Sequence, residues 1–387
     1  MRKTGFILFF VIILLIYASI NYYIIIRGLN LFSPGSSIRT ALLIIILMAA
    51  TAFPAGRLLE RTMVNRFTAS LIWIGTFWLA FMVYLFLQFL MLDLFSGVSH
   101  LFGFIPDFIS SNPDKTKEIT GIIVISITIC VVVAGHINTW FPVVRKYELM
   151  INKPGGKLDK LHVVVFSDVH LGTTIEKRHT RIIVDKVNGL EPDIILIPGD
   201  IIDEDIAPVL KTNVGEVLKQ LQSKYGVYAV TGNHEYIGGI KKAKKYLKEH
   251  KISLLNDRAE LIDNSFYVVG REDMTISQFT NMKRKVLNEI VKDLDKSKPI
   301  ILLDHQPFRL EQAEENGVDL QLSGHTHHGQ LWPFNFITRI IFKLSWGYKR
   351  KGGTHYYVSS GVGGWGPPIR TVNRPEIVSI NLIFNQK

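Results

Sequence analysis

The sequence predicts a chain in two parts: an all-α membrane region over residues 1–144, and an α/β or α+β domain over residues 158–387, joined by a linker at 145–157. Three observations support this division. Long apolar runs are confined to the first part, short β-branched runs alternate with helical patterns in the second, and polar side chains follow several predicted strands. The 387 residues are enough for two to three domains.

Composition excludes several classes of protein. With 48% hydrophobic and 20% charged residues, the chain is neither disordered nor collagen-like. Its single cysteine, Cys130, excludes an intramolecular disulfide, a thiolate zinc finger and a CxxC redox site. The formal net charge of +11 favours contact with anionic surfaces.

Four apolar runs are candidates for membrane spans, with three or five spans as the alternatives. They are Phe6–Ile26, Thr40–Ala55, Thr68–Leu92 and Ile119–Phe141. About 20 apolar residues cross the hydrocarbon core of a bilayer, and only the second run falls short of that length. The first run exceeds the apolar core of a signal peptide and is followed by no clear cleavage site, so we expect it to be retained.

Lysine and arginine residues in the connecting segments predict the orientation. With four spans, the segments on one side hold ten of these residues and the segments on the other side hold four. The richer side includes the N-terminus and residues 145–160. We therefore expect the C-terminal domain on the cytoplasmic face of the cell membrane.

Predicted strands and helices alternate from Leu158 onward, which indicates a domain containing both. The predicted strands are His162–Phe166, Asp193–Pro198, Val227–Val230, Phe266–Val269, Ile300–Leu303, Leu320–Leu322, Tyr356–Val358 and Ile377–Phe384. The predicted helices are Lys177–Asn188, Val214–Leu221, Ile240–His250 and Lys283–Leu294. Several strands lack polar alternation, as expected where both faces of a strand are buried.

Polar side chains stand directly after five of these strands. The segments are Ser167–His170, Gly199–Asp200, Gly232–Glu235, Asp304–His305 and Gly324–His327. One such segment alone is weak evidence, since Asp-x-His and Gly-Asp are common in turns. Ligands of open α/β sheets bind beyond the carboxyl ends of the strands, so the ordered set of five predicts one site built from five loops.

Seven of these side chains offer oxygen or nitrogen donors to a metal ion. They are Asp168, His170, Asp200, Asn233, His305, His325 and His327. Such donors suit Mn, Fe or Zn better than metals that seek thiolates, and seven are too many for one tetrahedral zinc. They suit two divalent ions if one carboxylate bridges them, an arrangement that can hold the attacking and leaving oxygens of a phosphoryl displacement.

The ordered motifs Asp-x-His, Gly-Asp, Gly-Asn-His-Glu, His and Gly-His-x-His resemble those of the calcineurin-like metallophosphoesterase superfamily, over roughly Leu158–Phe384. Gly329-Gln330 and the stretch Ser360–Arg370 are similar to a membrane-associated bacterial branch that includes YkuE and YaeI. The resemblance implies a four-layer α-β-β-α sandwich with two divalent metal ions. It also implies a metal-dependent phosphohydrolase that cleaves a phosphoester or pyrophosphate bond by attack of metal-activated hydroxide.

The resemblance also implies a role for each motif residue. Asp168, His170, Asp200 and His327 would hold the first metal, with Asp200 as the bridge. Asn233, His305 and His325 would complete the second. His234 would be the catalytic residue that stabilises the transition state or protonates the leaving oxygen, with a purely structural hydrogen bond as the alternative.

Two residues are weaker candidates for contact with the substrate. His328 stands where this branch usually has glycine, and it either contacts phosphate or points to solvent. Arg271 follows a predicted strand, and it either binds a substrate phosphate or forms a salt bridge with Glu272 or Asp273.

Two basic stretches bear on the partners of the chain. Leu331–Tyr348 is predicted to be an amphipathic helix that lies in a membrane surface or packs on the domain. Ile240–Lys251 carries six lysines that meet anionic headgroups or form a solvated helix face. We expect the lipid bilayer as a partner and no nucleic acid, because the membrane anchor restricts access. The oligomeric state is left open.

A lipid-linked phosphate or pyrophosphate ester is the favoured substrate class. The membrane anchor supports it, as does the resemblance to a branch that includes a hydrolase of UDP-diacylglucosamine-type lipids. Two other functions stay open: a phosphodiesterase for a soluble substrate such as a cyclic nucleotide, and a metal-binding scaffold without catalysis. The presence of all seven donors argues against the scaffold.

Overall fold

The computed structural model describes residues 3–104 and 111–385. The chain divides into two compact units, Met1–Gly135 and His136–Lys387.

The described part of the first unit is helical. Its helices are α1 (Lys3–Leu29), α2 (Ser37–Glu60), α3 (Arg66–Leu101) and α4 (Pro113–Thr139), the last of which ends in the second unit. Each is long and apolar enough to cross a membrane, as the four apolar runs predicted. α3 extends beyond the predicted run Thr68–Leu92, because Asn65 and Thr68 form a capping box at its start and the helix continues to Leu101.

The first sheet of the second unit has six strands. In spatial order they are β1 (Val143–Ile151), β12 (Glu376–Phe384), β2 (Lys160–Val165), β3 (Ile194–Pro198), β4 (Val227–Val230) and β5 (Ser253–Leu254). Neighbouring strands are parallel except for β12 and β2, which are antiparallel. The carboxyl ends of β2, β3 and β4 therefore lie at one edge of the sheet.

The second sheet also has six strands. In spatial order they are β10 (Gly347–Lys351), β11 (Thr354–Val358), β9 (Leu320–Ser323), β8 (Ile300–Leu303), β7 (Phe266–Gly270) and β6 (Arg258–Ile262). The four central strands are parallel and the two outer strands are antiparallel to their neighbours.

Short helices connect the strands. They are α5 (Lys177–Asn188), α6 (Ala207–Thr212), α7 (Gly215–Leu218), α8 (Asn233–Gly238), α9 (Ile240–Glu249), α10 (Ile276–Phe279), α11 (Leu287–Val291), α12 (Glu311–Glu315) and α13 (Phe334–Ile341), with one 3₁₀ turn at His327–Gly329. The start and end of α5 agree with the prediction, whereas the helix predicted at Lys283–Leu294 is reduced to α11.

Three hydrophobic cores separate four layers. Because side chains alternate along a strand, Val163 and Val165 of β2 point into the core between the two sheets, and Val164 points to the core under α5 and α9. In the second sheet, Ile301 of β8 shares the central core, and Ile300 packs with α11 and α12. The order is helices, sheet, sheet, helices, which confirms the predicted α-β-β-α sandwich.

The segment predicted to be a linker, 145–157, instead contains most of β1. This strand pairs in register with β12, from Val143 opposite Glu376 to Ile151 opposite Phe384. Arg145 reaches the fully buried Glu376 with its Nε at 2.6 Å from the carboxylate. In this segment Lys146 and Glu148 are exposed on an edge strand, which sequence alone does not distinguish from a loop, whereas Arg145 shares the face of the buried Leu149 and Ile151.

A second difference concerns the predicted helix Leu331–Tyr348. The helical part is α13, only eight residues long, and Phe342 after it has extended backbone angles. Residues from Gly347 onward form β10, which pairs with β11. The structure therefore limits the amphipathic helix to the segment closest to the predicted metal-binding motif.

Candidate metal centre

The five polar segments come together where strands of both sheets end. Asp168 follows β2, Asp200 follows β3 and Asn233 starts α8 after β4, all in the first sheet. His305 follows β8 and His325 follows β9 in the second sheet. The site therefore lies across the two sheets, at the carboxyl edge of each.

The first group of donors is Asp168, His170 and His327, all of them buried. The Nε2 atoms of His170 and His327 face each other at 3.0 Å, and Asp168 Oδ1 lies 3.6 Å from His327 Nε2. Asp168 is oriented by Ser167, whose hydroxyl donates to it, and by the backbone N–H of His325 at 2.8 Å. The three ligand atoms point at one small volume.

The second group is Asp200, His305 and His325, joined by Asn233. Asp200 Oδ2 lies 3.1 Å from His305 Nε2, and Asn233 Oδ1 lies 2.9 Å from His325 Nδ1. His305 donates its Nδ1–H to the carbonyl of Pro198 at 2.8 Å, which leaves its Nε2 lone pair for a metal ion. Asp200 Oδ2 is also 3.9 Å from His170 Nε2, so this carboxylate lies between the two groups.

His234 lies beside the donors and is paired with an acid that the sequence analysis missed. Its Nδ1 is 3.3 Å from Asp203 Oδ1, and its backbone N–H donates to Asp200 at 3.0 Å. Burial lowers the pKa of His234, but the carboxylates of Asp200 and Asp203 outweigh burial and raise that pKa to about 9. The imidazole is therefore a cation near neutral pH, in the absence of metal ions.

The backbone at the site is held in unusual conformations. Asp168, His170, Asp200, His325 and His327 all have positive φ angles between 45° and 73°. Non-glycine residues seldom adopt this left-handed region, and such strain tends to occur at functional sites.

Two glycines are needed because atoms of the site approach them closely. A Cβ at Gly232 would lie 2.1 Å from Asp200 Oδ1, and a Cβ at Gly324 would lie 2.3 Å from Asp168 Oδ2. Any side chain at either position would displace a predicted metal ligand. Glycine is therefore required at these two motif positions because there is no room for a Cβ atom, and not because of turn geometry alone.

The charge state of part of the cluster suits divalent metal ions. Burial lowers the pKa of His305, but Asp200 outweighs burial and holds that pKa well above its ordinary value, so a metal ion there would displace a proton. Burial lowers the pKa of His325 to about 3 and holds that of His327 well below its ordinary value, so both imidazoles are neutral, the form that binds a metal. Burial raises the pKa of Asp168, since its carboxylate lacks a full set of compensating partners. The buried Nδ1 of His170 has no hydrogen-bond partner within the described residues. A cation among the donors would compensate the carboxylate of Asp168, while His170 Nδ1 faces Asp203 Oδ1 at 3.7 Å.

Arg370 is a second residue that the motifs did not identify. It is fully buried, donates to the carbonyls of Ser360 and Gly363, and places Nη2 3.4 Å from His327 Nδ1. Asn138 donates to the carbonyls of Arg370 and Asn373, at 2.9 and 3.0 Å. Arg370, at the end of the stretch Ser360–Arg370, thus packs against the predicted metal ligand His327.

The two weaker candidates have partners within the protein. His328 is 3% exposed, with Nδ1 3.2 Å from Ser345 Oγ, so it does not point to solvent, and its contact with phosphate stays a prediction. Like His327, it has a positive φ, of 50°, in the 3₁₀ turn His327–Gly329. Arg271 does form a salt bridge, but with Asp304 at 3.1 Å instead of Glu272 or Asp273. Glu272 is occupied by Lys244, at 2.9 Å.

A family model and several curated relatives place the chain in the same protein family. A family model described as calcineurin-like phosphoesterase matches residues 161–329. An uncharacterized metallophosphoesterase of Aquifex aeolicus is 31% identical over 254 residues, covering 64% of this chain and 94% of that protein. YkuE of Bacillus subtilis is 28% identical over 233 residues, covering 58% of this chain and 79% of that protein.

In other relatives the aligned region covers only about three fifths of their length. The transmembrane protein with metallophosphoesterase domain of Danio rerio is 31% identical over 280 residues, covering 67% of this chain and 62% of that protein. Two Helicobacter pylori metallophosphoesterases are 35% identical, and the chain spans about 61% of their length. A solved structure of a 5′-nucleotidase precursor from Thermus thermophilus matches with a TM-score of 0.36 at 13% identity, covering 58% of this chain and 54% of that one. The chain belongs to the calcineurin-like metallophosphoesterase family, a family of metal-dependent phosphohydrolases.

Proposed function

We propose that this protein is a membrane-bound dimetal phosphohydrolase that cleaves a phosphoester or pyrophosphate bond of a lipid-linked substrate. The observation that carries the proposal is the convergence of seven metal-binding side chains and His234 in one buried cluster, built from both sheets. A structural protein gains little from burying so many ionisable groups together, because their desolvation is costly.

We assign the seven predicted donors to two ions on the basis of the two groups described above; a third group, His170, Asp203 and His234, shares His170 with the first. Asp168, His170 and His327 would hold one ion, and Asn233, His305 and His325 the other, with Asp200 between them. Two divalent ions bound there would lower the pKa of a water molecule and neutralise charge on the phosphoryl group. His234, oriented by Asp203, would donate a proton to the leaving oxygen.

The lipid-linked substrate is supported by α13, which begins seven residues after His327. Its apolar side chains face solvent: Ile340 is 85% exposed, and Phe336, Ile337 and Ile341 are exposed as well. Arg339, Lys349 and Arg350 are exposed basic residues of the same segment, which suits an anionic lipid surface. Because the same chain carries four candidate membrane spans, we assign a bilayer surface to this helix face.

Phe342 links this helix to the site. It follows the last residue of α13, is buried, and places its ring 5.9 Å from the ring of His325. A substrate held at the membrane surface by α13 would therefore reach the donor cluster without leaving the interface. A soluble phosphodiester would have no use for the exposed apolar face.

The test of the phosphohydrolase activity is metal-dependent hydrolysis by the full-length protein in detergent. We expect Mn²⁺-stimulated cleavage of bis-p-nitrophenyl phosphate, lost by at least about 100-fold in Asp200→Ala and His234→Ala. Asp185→Asn, an exposed change on α5, is the control. A protein that binds metal ions but cleaves neither this compound nor a panel of lipid phosphates would be the non-catalytic scaffold instead.

The test of the lipid-linked substrate compares two activities of the same preparation. We expect the variant Ile337→Glu/Ile340→Glu to lower the ratio of phosphatidic acid hydrolysis in anionic vesicles to bis-p-nitrophenyl phosphate hydrolysis by at least about tenfold. Leu210→Glu, an exposed apolar residue of α6, is the matched control. An unchanged ratio in the double variant would leave the phosphohydrolase in place and favour a soluble phosphodiester.

We also propose that the catalytic domain faces the cytoplasm, from the ratio of ten to four Lys/Arg residues on the two sides. Protease treatment of intact cells tests this orientation, with a tag placed after Lys387. Cleavage of the tag in intact cells would contradict the orientation and leave the site assignment untouched.

A further inference from the structure

A cavity of about 320 Å³ lies beside the donor cluster, on the second sheet. Five of the side chains that line it are cationic: Arg271, Lys283, Arg284, Lys285 and Arg309. Phe308 and Gln312 also line the cavity. The cavity is as large as the smaller sites that bind small molecules in proteins.

The positive charge of the cavity is largely uncompensated. A single carboxylate, Asp304, pairs with Arg271 at 3.1 Å and with Arg284 at 2.7 Å. Within residues 3–104 and 111–385, no ion pair or hydrogen bond engages the charged side-chain groups of Lys283, Lys285 or Arg309. Cations that converge on a cavity without enough carboxylates create a field that attracts an anion.

Arg271 gives the second observation. Its side chain is 6% exposed, it lines the cavity, and its buried Nε has no hydrogen-bond partner among the described residues. Its Nη1 donates to the side chain of Gln312 at 2.9 Å, and its Nη2 donates to the carbonyl of Lys285 at 3.3 Å. A buried guanidinium N–H without an acceptor is costly, and an anionic oxygen in the cavity would supply one.

The cavity is next to the donor cluster but does not share its atoms. Asp304, under the cavity, immediately precedes His305. On the other wall, the ring of Phe308 lies 4.7 Å from that of Phe342, which in turn contacts His325. One aromatic ring therefore separates the cavity wall from a donor of the cluster.

We propose that this cavity binds a second anionic group of the substrate, a phosphate or carboxylate several bonds away from the phosphorus that is attacked. The ring of Phe342 lies between Phe308 of the cavity wall and His325, so the second group is placed apart from the phosphorus that is attacked. The inference rests on the proposed function and adds a substrate class to it: phosphoesters that carry a second, separated negative charge.

The test uses a matched pair of chromogenic probes with the full-length protein in detergent and Mn²⁺. Thymidine 5′-(p-nitrophenyl phosphate) has one phosphate, and its 3′-phosphorylated derivative carries a second one on the far side of the sugar. We expect kcat/KM for the 3′-phosphorylated probe to exceed that for the parent by at least about tenfold, as one charge-assisted contact can supply. In Lys283→Ala/Lys285→Ala/Arg309→Ala we expect the ratio to fall to about one.

The control removes the same charge elsewhere. Lys241, Lys242 and Lys245 are exposed on α9, and their triple alanine variant should keep the wild-type ratio. Arg271 is left intact, because its loss would leave Asp304 buried beside Arg284 alone and endanger folding.

The outcomes separate the two proposals. Wild-type protein that cleaves both probes equally, or a cavity variant that keeps the preference, overturns the cavity proposal and leaves the phosphohydrolase standing. Wild-type protein that cleaves neither this pair nor bis-p-nitrophenyl phosphate with any metal overturns the proposed function, and the cavity proposal with it.

Discussion

The Nδ1 atom of His234 lies 3.3 Å from the carboxylate of Asp203, three residues beyond Asp200. The carboxylate fixes which imidazole nitrogen faces the site and favours the charged form of the ring. Asp203 thereby orients His234 and raises its pKa, although Asp203 is not one of the seven predicted donors.

We predict that Asp203→Asn lowers kcat by about 10- to 100-fold, because the amide keeps the size of the side chain but removes the charge that orients and protonates His234. Steady-state kinetics with bis-p-nitrophenyl phosphate measures the effect. Asp185→Asn, the same chemical change on an exposed helix position, should stay within twofold. Equal rates in the two variants would show that the contact with His234 has no catalytic consequence.

Gly232 provides a test of close packing at the site. We predict that Gly232→Ala lowers activity by about 100-fold, since its Cβ would meet Asp200 Oδ1 at 2.1 Å and displace that carboxylate. Gly353→Ala, in the β10–β11 turn, meets nothing within 4 Å and is the matched control. Activity and bound metal, measured by elemental analysis, should fall together in the first variant; retention of both would contradict the packing argument.

Removal of metal should destabilise the second unit. The donors come from loops of both sheets, so ions bound among them would join the sheets. Ions that bind only the folded state add about 4 kcal/mol when their concentration is a thousandfold above Kd. We predict that EDTA lowers the thermal midpoint seen by tryptophan fluorescence and that Mn²⁺ restores it.

The control for this experiment is Asp200→Asn, in which the effect of EDTA should be smaller because a central ligand is weakened. An identical midpoint with and without metal in the wild type would indicate that the cluster is stable without ions.

His179 should make stability fall in mild acid. Burial lowers the pKa of His179 to about 4, with further lowering by Arg370 and His136, and its Nε2 has no partner within the described residues. Its folded pKa lies below the unfolded value of 6.5, so the unfolded state binds the proton more readily between these values. Stability from the neutral ring is present above about pH 6.5 and decreases as the pH falls towards 4.

The size of this effect is about 2 kcal/mol between pH 7.5 and pH 5. We predict that His179→Phe, which keeps a flat ring beside Trp140, reduces the difference in thermal midpoint between these two pH values. Other titrating groups are common to both proteins and cancel in the comparison. The same pH difference in wild type and variant would show that His179 does not contribute.

The carboxyl ends of the strands explain why so much of the site was predictable. Asp168, Asp200 and His305 each follow a buried β-branched run, and such runs are recognisable without any knowledge of pairing. The parallel arrangement then requires the residues that follow them to meet. Asp203 was missed because it lies one turn further along a loop, where no periodic pattern marks it.

Other features depend on contacts distant in sequence and could not be predicted. β1 is a strand only because β12, more than 200 residues later, pairs with it. His328 directly follows the His-x-His motif, yet its Nδ1 lies 3.2 Å from Ser345 Oγ, a partner distant in sequence. The partner of Arg271 is likewise Asp304 on a neighbouring strand and not an adjacent acid.

The pairing of β1 with β12 has a consequence for synthesis on the ribosome. β1 is translated early, directly after the last candidate span. Its backbone groups have no partner strand until β12 has been translated. Glu376, the buried partner of Arg145, Trp346 and Tyr357, arrives at the same late moment. Nascent chains arrested at residue 375 should therefore be cleaved by protease within residues 143–151, whereas complete chains should be protected there.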